Sequence, residues 1–535
     1  MNDASFTPRV IESGVRLSQS ILWRILTEYY SDRALDAWKD NTVPYHITSN
    51  PSIAHAYAQL IFAFQQDLAT HDQAPPQPLP IVELGAGSGA FAFHFLRQFE
   101  DLRTRAAAPV APYIYVMTDF VPATVDGWQR HPQLTDFVDE GVLDFACFNP
   151  LTETALTLRH SGRVLSPAQP SPLAAIANYV FDSLPQDLFG VEDGRIFEIA
   201  VNVLGPPHPI DSADTLPALP ELDFEYVYKS AASPYYDDAE FERVLRSYAD
   251  LHGEVVRFPL GALTCCRVLR GLAGNNLLLA SADHGFAHAE DLHAESTDML
   301  FNIHDGAFSM PVNFHAVGEY LCYTRGDVLR PPRLHRSICV TAFTTEPAAQ
   351  RQAVRAAYSE HFARFGIDDA GSLTYWLTQE RNLPRELVVS LLRFTRHDPL
   401  VLKRCLPSLN DESERWGDAE LDVLVEEIAQ VWANYYDQGD RYNLPFELGV
   451  FMERLHRPAQ AIFYYGEALR YYGDTPEILF NLATCYHRIG EDQAASAILT
   501  RAAALDLAGP PVVQRHYRRR IDALRAAIQQ SAGAL

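Results

Sequence analysis

The stretch Ile81-Val82-Glu83-Leu84-Gly85-Ala86-Gly87-Ser88-Gly89-Ala90 decides the fold. Leu79–Leu84 is apolar enough for a short buried strand. Three glycines at alternate positions follow, and then a helical pattern from about Ala90 to Gln98. Glycine lets the chain turn sharply and lets a ligand lie against bare backbone. The helix start adds unpaired N–H groups and the positive end of a dipole at the same spot. Strand, glycine turn and helix in this order is the context that a nucleotide-type ligand site requires.

Two ligand classes use such a turn. Gly85, Gly87 and Ala90 satisfy the looser dinucleotide pattern GxGxxA. Glu83, Gly85, Gly87 and Gly89 satisfy the acid-x-G-x-G-x-G pattern of an S-adenosylmethionine turn in full. Glu83 separates the two. A carboxylate ending the first strand suits a ligand with a free amino group and repels an anionic diphosphate. S-adenosyl-L-methionine is therefore the expected cofactor, with an NAD-dependent oxidoreductase as the alternative.

Further strands are expected at Tyr113–Thr118, Val142–Cys147, Leu173–Tyr179 and Asn276–Ser281, the first four of the set separated by helices or loops. This is the rhythm of a parallel α/β sheet. Ligands in such sheets sit outside the carboxyl ends of the strands, where Asp119, Asn149, Asn178 and Asp182 fall. Asp119 suits ribose hydroxyls and Asn149 an adenine amino group. Asp182 and His304, with Asp283 and His284 beside them, are the candidates for taking a proton from an acceptor. His284, His288 and His293 lack the spacing of a metal site, so no metal is expected.

Around this centre the chain divides into an N-terminal helical cap (1–78), a sheet domain (79–346) with a decorating insertion at about 195–275, and an all-α domain (347–535). In the last part Leu448, Gly449, Ala461, Tyr465 and Ala468 recur 34 residues later as Leu482, Ala483, Ala495, Leu499 and Ala502. Small residues at that period mark tetratricopeptide-like helix pairs, expected at about 444–508. Stacked helical repeats present concave surfaces suited to proteins, so a protein partner is expected there, with self-association as the alternative.

Composition sets the outer limits. The 535 residues carry 68 acids against 43 bases, a net charge of -25, which disfavours nucleic acid and anionic lipid as general partners. The exception is a local basic run, Arg515 to Arg520. No apolar run is long enough to span a membrane. Seven cysteines without a CxxC pair read as reduced thiols, and a cytoplasmic protein is expected.

Four segments carry a family resemblance. They are Ile47-Thr48-Ser49-Asn50-Pro51-Ser52-Ile53-Ala54; Val82 to Gly89; Asn178 to Pro185; and Ala282-Asp283-His284-Gly285-Phe286 with Asn302-Ile303-His304 and Val312-Asn313-Phe314. In order and spacing over roughly residues 10–330 the chain resembles class I S-adenosylmethionine-dependent methyltransferases of the MidA-like type. The resemblance implies a Rossmann-like sheet and a methyl acceptor on a protein. The family's mitochondrial members methylate an arginine and assist assembly of respiratory complex I. Tyr179, Asn313 and His284 depart from the family's Glu, Asp and Tyr. A retained fold acting only as a scaffold through its tail is the competing expectation.

Overall fold

The computed structural model describes residues 9–41, 43, 46–75, 77–106, 111–206, 217–251, 254–294, 301–304, 306–323, 325–332, 338–380, 382–412, 417–505 and 511–533. Its chain forms two compact units, Met1–Ser372 and Leu373–Leu535.

In the first unit seven strands make the central sheet: β1 (Leu79–Leu84), β2 (Tyr113–Asp119), β3 (Leu143–Cys147), β4 (Leu173–Asn178), β5 (Leu277–Asp283), β6 (Asp327–Leu329) and β7 (Cys339–Thr344). Their order is β3-β2-β1-β4-β5-β7-β6. The first five run parallel, while β7 is antiparallel to both β5 and β6. β1 and β2 are buried at every position, as strands covered by helices on both faces must be. Strand order reverses direction at β1 and β4, so the carboxyl ends of these two strands open a crevice. The expected α/β sheet is the one observed.

Three helices frame the crevice: α1 (Ile21–Arg33), α2 (Pro51–Thr70) and α3 (Ala90–Arg105). Asn50 caps α2, its Oδ1 accepting from Ser52 N and Ile53 N at 3.0 and 3.1 Å, and Pro51 opens the first turn. The Ile47–Ala54 segment thus fixes where α2 begins.

The region expected to decorate the sheet is a second, antiparallel sheet. It contains Asp187–Glu192, Arg195–Gly205, Asp223–Ser230 and Glu254–Phe258, and it also takes in Arg9–Val15. The helical cap expected for residues 1–78 is corrected here, because Arg9–Val15 pairs with Arg195–Gly205. Local periodicity cannot reveal a strand whose partner lies nearly two hundred residues away. The insertion begins near Asp187 rather than 195. Leu22, Trp23, Ile25 and Leu26 of α1 pack on its Leu188, Ile199, Val201 and Val203, with Phe308 in the same cluster. The second sheet thereby holds α1 and the hairpin Asn302–His304/Ala307–Ser309 over the crevice.

The boundary expected at 346 moves to Ser372. Helix Gln352–Tyr358 belongs to the first unit. The Asp67 carboxylate of α2 accepts from Ala353 N and Val354 N at 3.1 and 3.0 Å, and the Tyr358 hydroxyl donates to Val340 O at 2.7 Å. Arg351, 1% exposed, donates to Asn276 and Gln73. A chain ending at 346 would strip these partners from a buried carboxylate and a buried strand.

The second unit is helical. Its repeats are the pairs Leu444–Arg454 with Pro458–Tyr472 and Pro476–Arg488 with Asp492–Ala503, followed by Pro511–Gly533. All ten recurring positions are buried. At Gly449 a Cβ would stand 2.5 Å from the Tyr465 ring, so only glycine lets that helix pair close. Among the described residues no helix is long and apolar enough to cross a membrane.

Candidate functional site

The glycine turn is built from backbone and pinned from both sides. Gly85, Gly87 and Gly89 have φ of 57°, 55° and 86°, the left-handed region open to glycine. Ala86 N donates to Thr118 O at 3.0 Å, tying the turn to β2. Trp128 Nε1 donates to Gly87 O at 2.9 Å. A Cβ at Gly85 would meet Val180 at 3.0 Å, and one at Gly87 would meet the Trp38 ring at 3.1 Å. Trp38 in turn stacks on Tyr30, with ring centroids 6.0 Å apart and planes at 19°.

Above the turn lies a cavity of about 280 Å³. Glu83, Gly85, Gly87, Asp119, Asn149, Asn178, Asp182 and His304 all line it. Eight residues expected from five separate parts of the chain therefore meet in one space. Gly89 does not reach the wall. It caps α3 in a left-handed conformation, so its contribution is to the turn.

The carboxyls of this space are buried, and burial raises them all. Glu83 accepts from the Tyr115 hydroxyl at 2.9 Å and is pushed up to about 8 by desolvation. Asp119 is raised to about 7 by desolvation, although its Oδ1 accepts from Val121 N at 2.8 Å. Asp182 is raised to about 6, again by desolvation, against the hydroxyls of Ser183 and Ser309. Asp283, behind the wall, is raised well above the carboxylate range by desolvation and by Asp182.

Asn178 ends β4 with its Oδ1 accepting from Tyr57 of α2 at 2.7 Å. Its Nδ2 is buried and finds no acceptor among the described residues. Asn149 is committed more heavily to its own turn, its Oδ1 accepting from Leu151 N at 3.0 Å. His304 stands exposed on its hairpin. Among the described residues no cluster of His, Cys, Asp and Glu could hold a metal ion.

The structure adds wall residues that the sequence did not single out. Trp23, Leu26, Thr27 and Tyr30 come from α1, Trp38 from the segment after it, and Phe308 and Ser309 from the hairpin. Tyr179 follows β4 with φ 52°, rare for a bulky residue, and its ring lies 5.6 Å from that of His284. The available signal was weak: aromatic residues on α1 read equally well as ordinary core.

A group with an ammonium, a ribose and an aromatic base fits these residues. The glycines leave backbone bare, Asn178 Nδ2 awaits an acceptor, Asp119 keeps one oxygen unused by Val121, and the buried acids favour a cation. Pyrophosphate would face Glu83 and Asp119 with, among the described residues, no opposing positive side chain on the wall apart from the histidines.

The comparison with family models agrees. Residues 63–244 match a family described as "Putative S-adenosyl-L-methionine-dependent methyltransferase", and residues 454–514 match a tetratricopeptide repeat. No curated protein gives a significant match. Among solved structures, an uncharacterised superfamily protein from Burkholderia thailandensis is 14% identical, covering 63% of this chain and 89% of that one at TM-score 0.38. A superfamily member from the same organism, crystallised with S-adenosylhomocysteine, is 15% identical, covering 62% and 87% at TM-score 0.39. The matched stretch contains the glycine turn, Asp119 and Asp182. The chain carries a methyltransferase domain, and S-adenosylmethionine is its cofactor.

Proposed function

We propose that this chain methylates a protein, whose reacting side chain enters the cavity at Asp182 and His304 while the helical repeats recruit the rest. The observation that carries the reading is one continuous cavity running from the glycine turn to Asp182. In this assignment Glu83 and Asn178 hold the amino-acid part of the cofactor, Asp119 the ribose and Asn149 the base, with Gly85 and Gly87 giving close approach and Gly89 the helix start. The bound cofactor supplies a methyl group already activated by a positively charged sulfur.

The protein's own work is to position the acceptor, exclude water and take up a proton. Trp23, Leu26 and Phe308, all at most 7% exposed, make the acceptor end an apolar wall that keeps water out. Asp182 offers the carboxylate there, and His304 stands at the open rim. Arginine is the narrower expectation drawn from the family resemblance. Tyr179 occupies the position of the family's acid, leaving Asp182 as the carboxyl available to a guanidinium.

Incubation with radiolabelled methyl donor and a lysate of the source organism tests the proposal. Label in protein, falling as salt rises, is expected for a strongly acidic chain attracting a basic partner. Label confined to small molecules would overturn it.

A further inference from the structure

Two aspartates at the acceptor end are delivered to one point by neighbouring parallel strands. In the β4–β5 register Ala282 pairs with Asn178. Asp283 closes β5, and Asp182 lies in the turn Phe181–Ser183 beyond β4. Both are buried, at 0% and 3% exposure. Asp283 Oδ2 accepts from Phe181 N at 3.2 Å and Ser281 Oγ at 3.4 Å. Asp182 Oδ1 accepts from Ser183 Oγ at 3.1 Å, and Ser309 supplies a second hydroxyl. Asp283 Oδ1 receives no N–H or hydroxyl among the described residues, and the side chains of Asp283 and Asp182 lie within hydrogen-bonding reach of each other.

Two carboxylates in hydrogen-bonding contact inside a protein cannot both stay ionised, and one proton between them turns repulsion into a bond. The groups acting on the pair are Tyr30 from α1, Tyr57 from α2, Tyr179 after β4 and Cys339 from β7, with His284 following Asp283 in the chain. The tyrosines are held well above their ordinary range by burial, and Cys339 is raised to about 12, so these four enter as neutral groups.

We propose that Asp182 and Asp283 share one proton and work as a single acid–base unit, with Asp182 facing the acceptor and Asp283 acting as the positioning residue. The source of the incoming proton rests on the methyltransferase reading; the pair itself does not. As the acceptor's lone pair forms its bond to the methyl carbon, the carbon–sulfur bond breaks and its electrons remain on sulfur. The proton displaced from the acceptor passes to the unprotonated carboxyl oxygen of Asp182. The pair then holds two protons and returns one to water. Burying Asp283 away from the cavity wall keeps the stored proton from the acceptor and leaves the receiving oxygen toward it.

Infrared titration of the full chain, carboxyl-labelled at aspartate, tests the pair. A protonated aspartate band at pH 8.5, where Asp119 with its value of about 7 has ionised, is expected in the wild type and should vanish in both Asp182→Asn and Asp283→Asn, since neither variant keeps a second carboxyl to share the proton. A band lost in only one variant, or in neither, overturns the proposal. If Asp283→Asn does not fold, Asp182→Ser at the cavity wall serves instead: loss of the band supports the pair and its persistence refutes it. Calorimetry with S-adenosylhomocysteine on the same samples separates the two ideas. A wild type that binds without the shared band refutes the pair alone. One that keeps the band without binding refutes the cofactor reading alone.

Discussion

The two ends of the cavity are made in different ways. At the glycine turn the wall is backbone from one short stretch, Glu83 to Ser88, pinned by Thr118 and Trp128. At the acceptor end it is side chains from α1, the turn after β4 and the hairpin near residue 304. Backbone walls tolerate almost no substitution but accept a chemically constant ligand. Walls of side chains are adjustable, and they are where a change of acceptor would be accommodated. The contrast predicts that cofactor binding fails on changes at one end and hardly responds to changes at the other.

The largest effect is expected from Gly87→Val. Its φ of 55° is an outlier for a β-branched residue, and the new Cβ would meet Trp38 at 3.1 Å. Strain of about 1–3 kcal/mol adds to the loss of the ligand's space. Calorimetry should detect no S-adenosylhomocysteine binding while circular dichroism keeps its α/β spectrum. Normal binding would place the cofactor elsewhere and dissolve the contrast.

Next comes Glu83. Its folded value of about 8 means that it is protonated at pH 6 and must ionise to meet an ammonium. Affinity for S-adenosylhomocysteine should fall as pH drops below 8, by about tenfold per unit where Glu83 alone governs. Glu83→Gln should weaken binding at pH 8 and flatten this dependence. The stability effect has the opposite sense. A carboxyl raised on folding costs stability as pH climbs from its unfolded value toward 8, so the same variant should melt higher than wild type at pH 8 and equally at pH 4.

Asp119→Ala removes one hydrogen-bonding site and should weaken binding by about 1–3 kcal/mol, read from the same titration. The smallest effect belongs to the other end. His304→Ala, on the exposed hairpin, should change S-adenosylhomocysteine affinity by no more than about twofold, as expected for distant sites. It should nevertheless lower methyl incorporation into protein. A large loss of cofactor affinity in this variant would mean that the two ends are one.

The same contrast explains what could be read from the sequence. Glu83, the glycines, Asp119 and Asn178 are legible because each sits at a strand end, and strands announce themselves locally. The order of the tail repeats was legible from ten recurring small and apolar residues. Trp38, Tyr30 and the contact between Asp182 and Asp283 were not, because they arise from tertiary packing. Arg9–Val15 was misread for that reason, its partner strand lying far along the chain. The boundary near 346 was placed too early because helix Gln352–Tyr358 looks like the helices that follow, and its bonds to Asp67 and Val340 are what assign it to the first unit.

Asn313 carries one more consequence. Its Oδ1 caps helix Phe314–Leu321 at Ala316 N, while its Nδ2 donates to Arg257 O of the second sheet at 3.0 Å. An aspartate there would make the first bond and, once ionised, oppose the second. The amide thus ties helix and second sheet together through a joint with no proton to lose. Acidifying the protein will neutralise the acids of the cavity one after another, yet this joint will not register the change. Architecture and chemistry meet within one domain, but at Asn313 they answer to different variables.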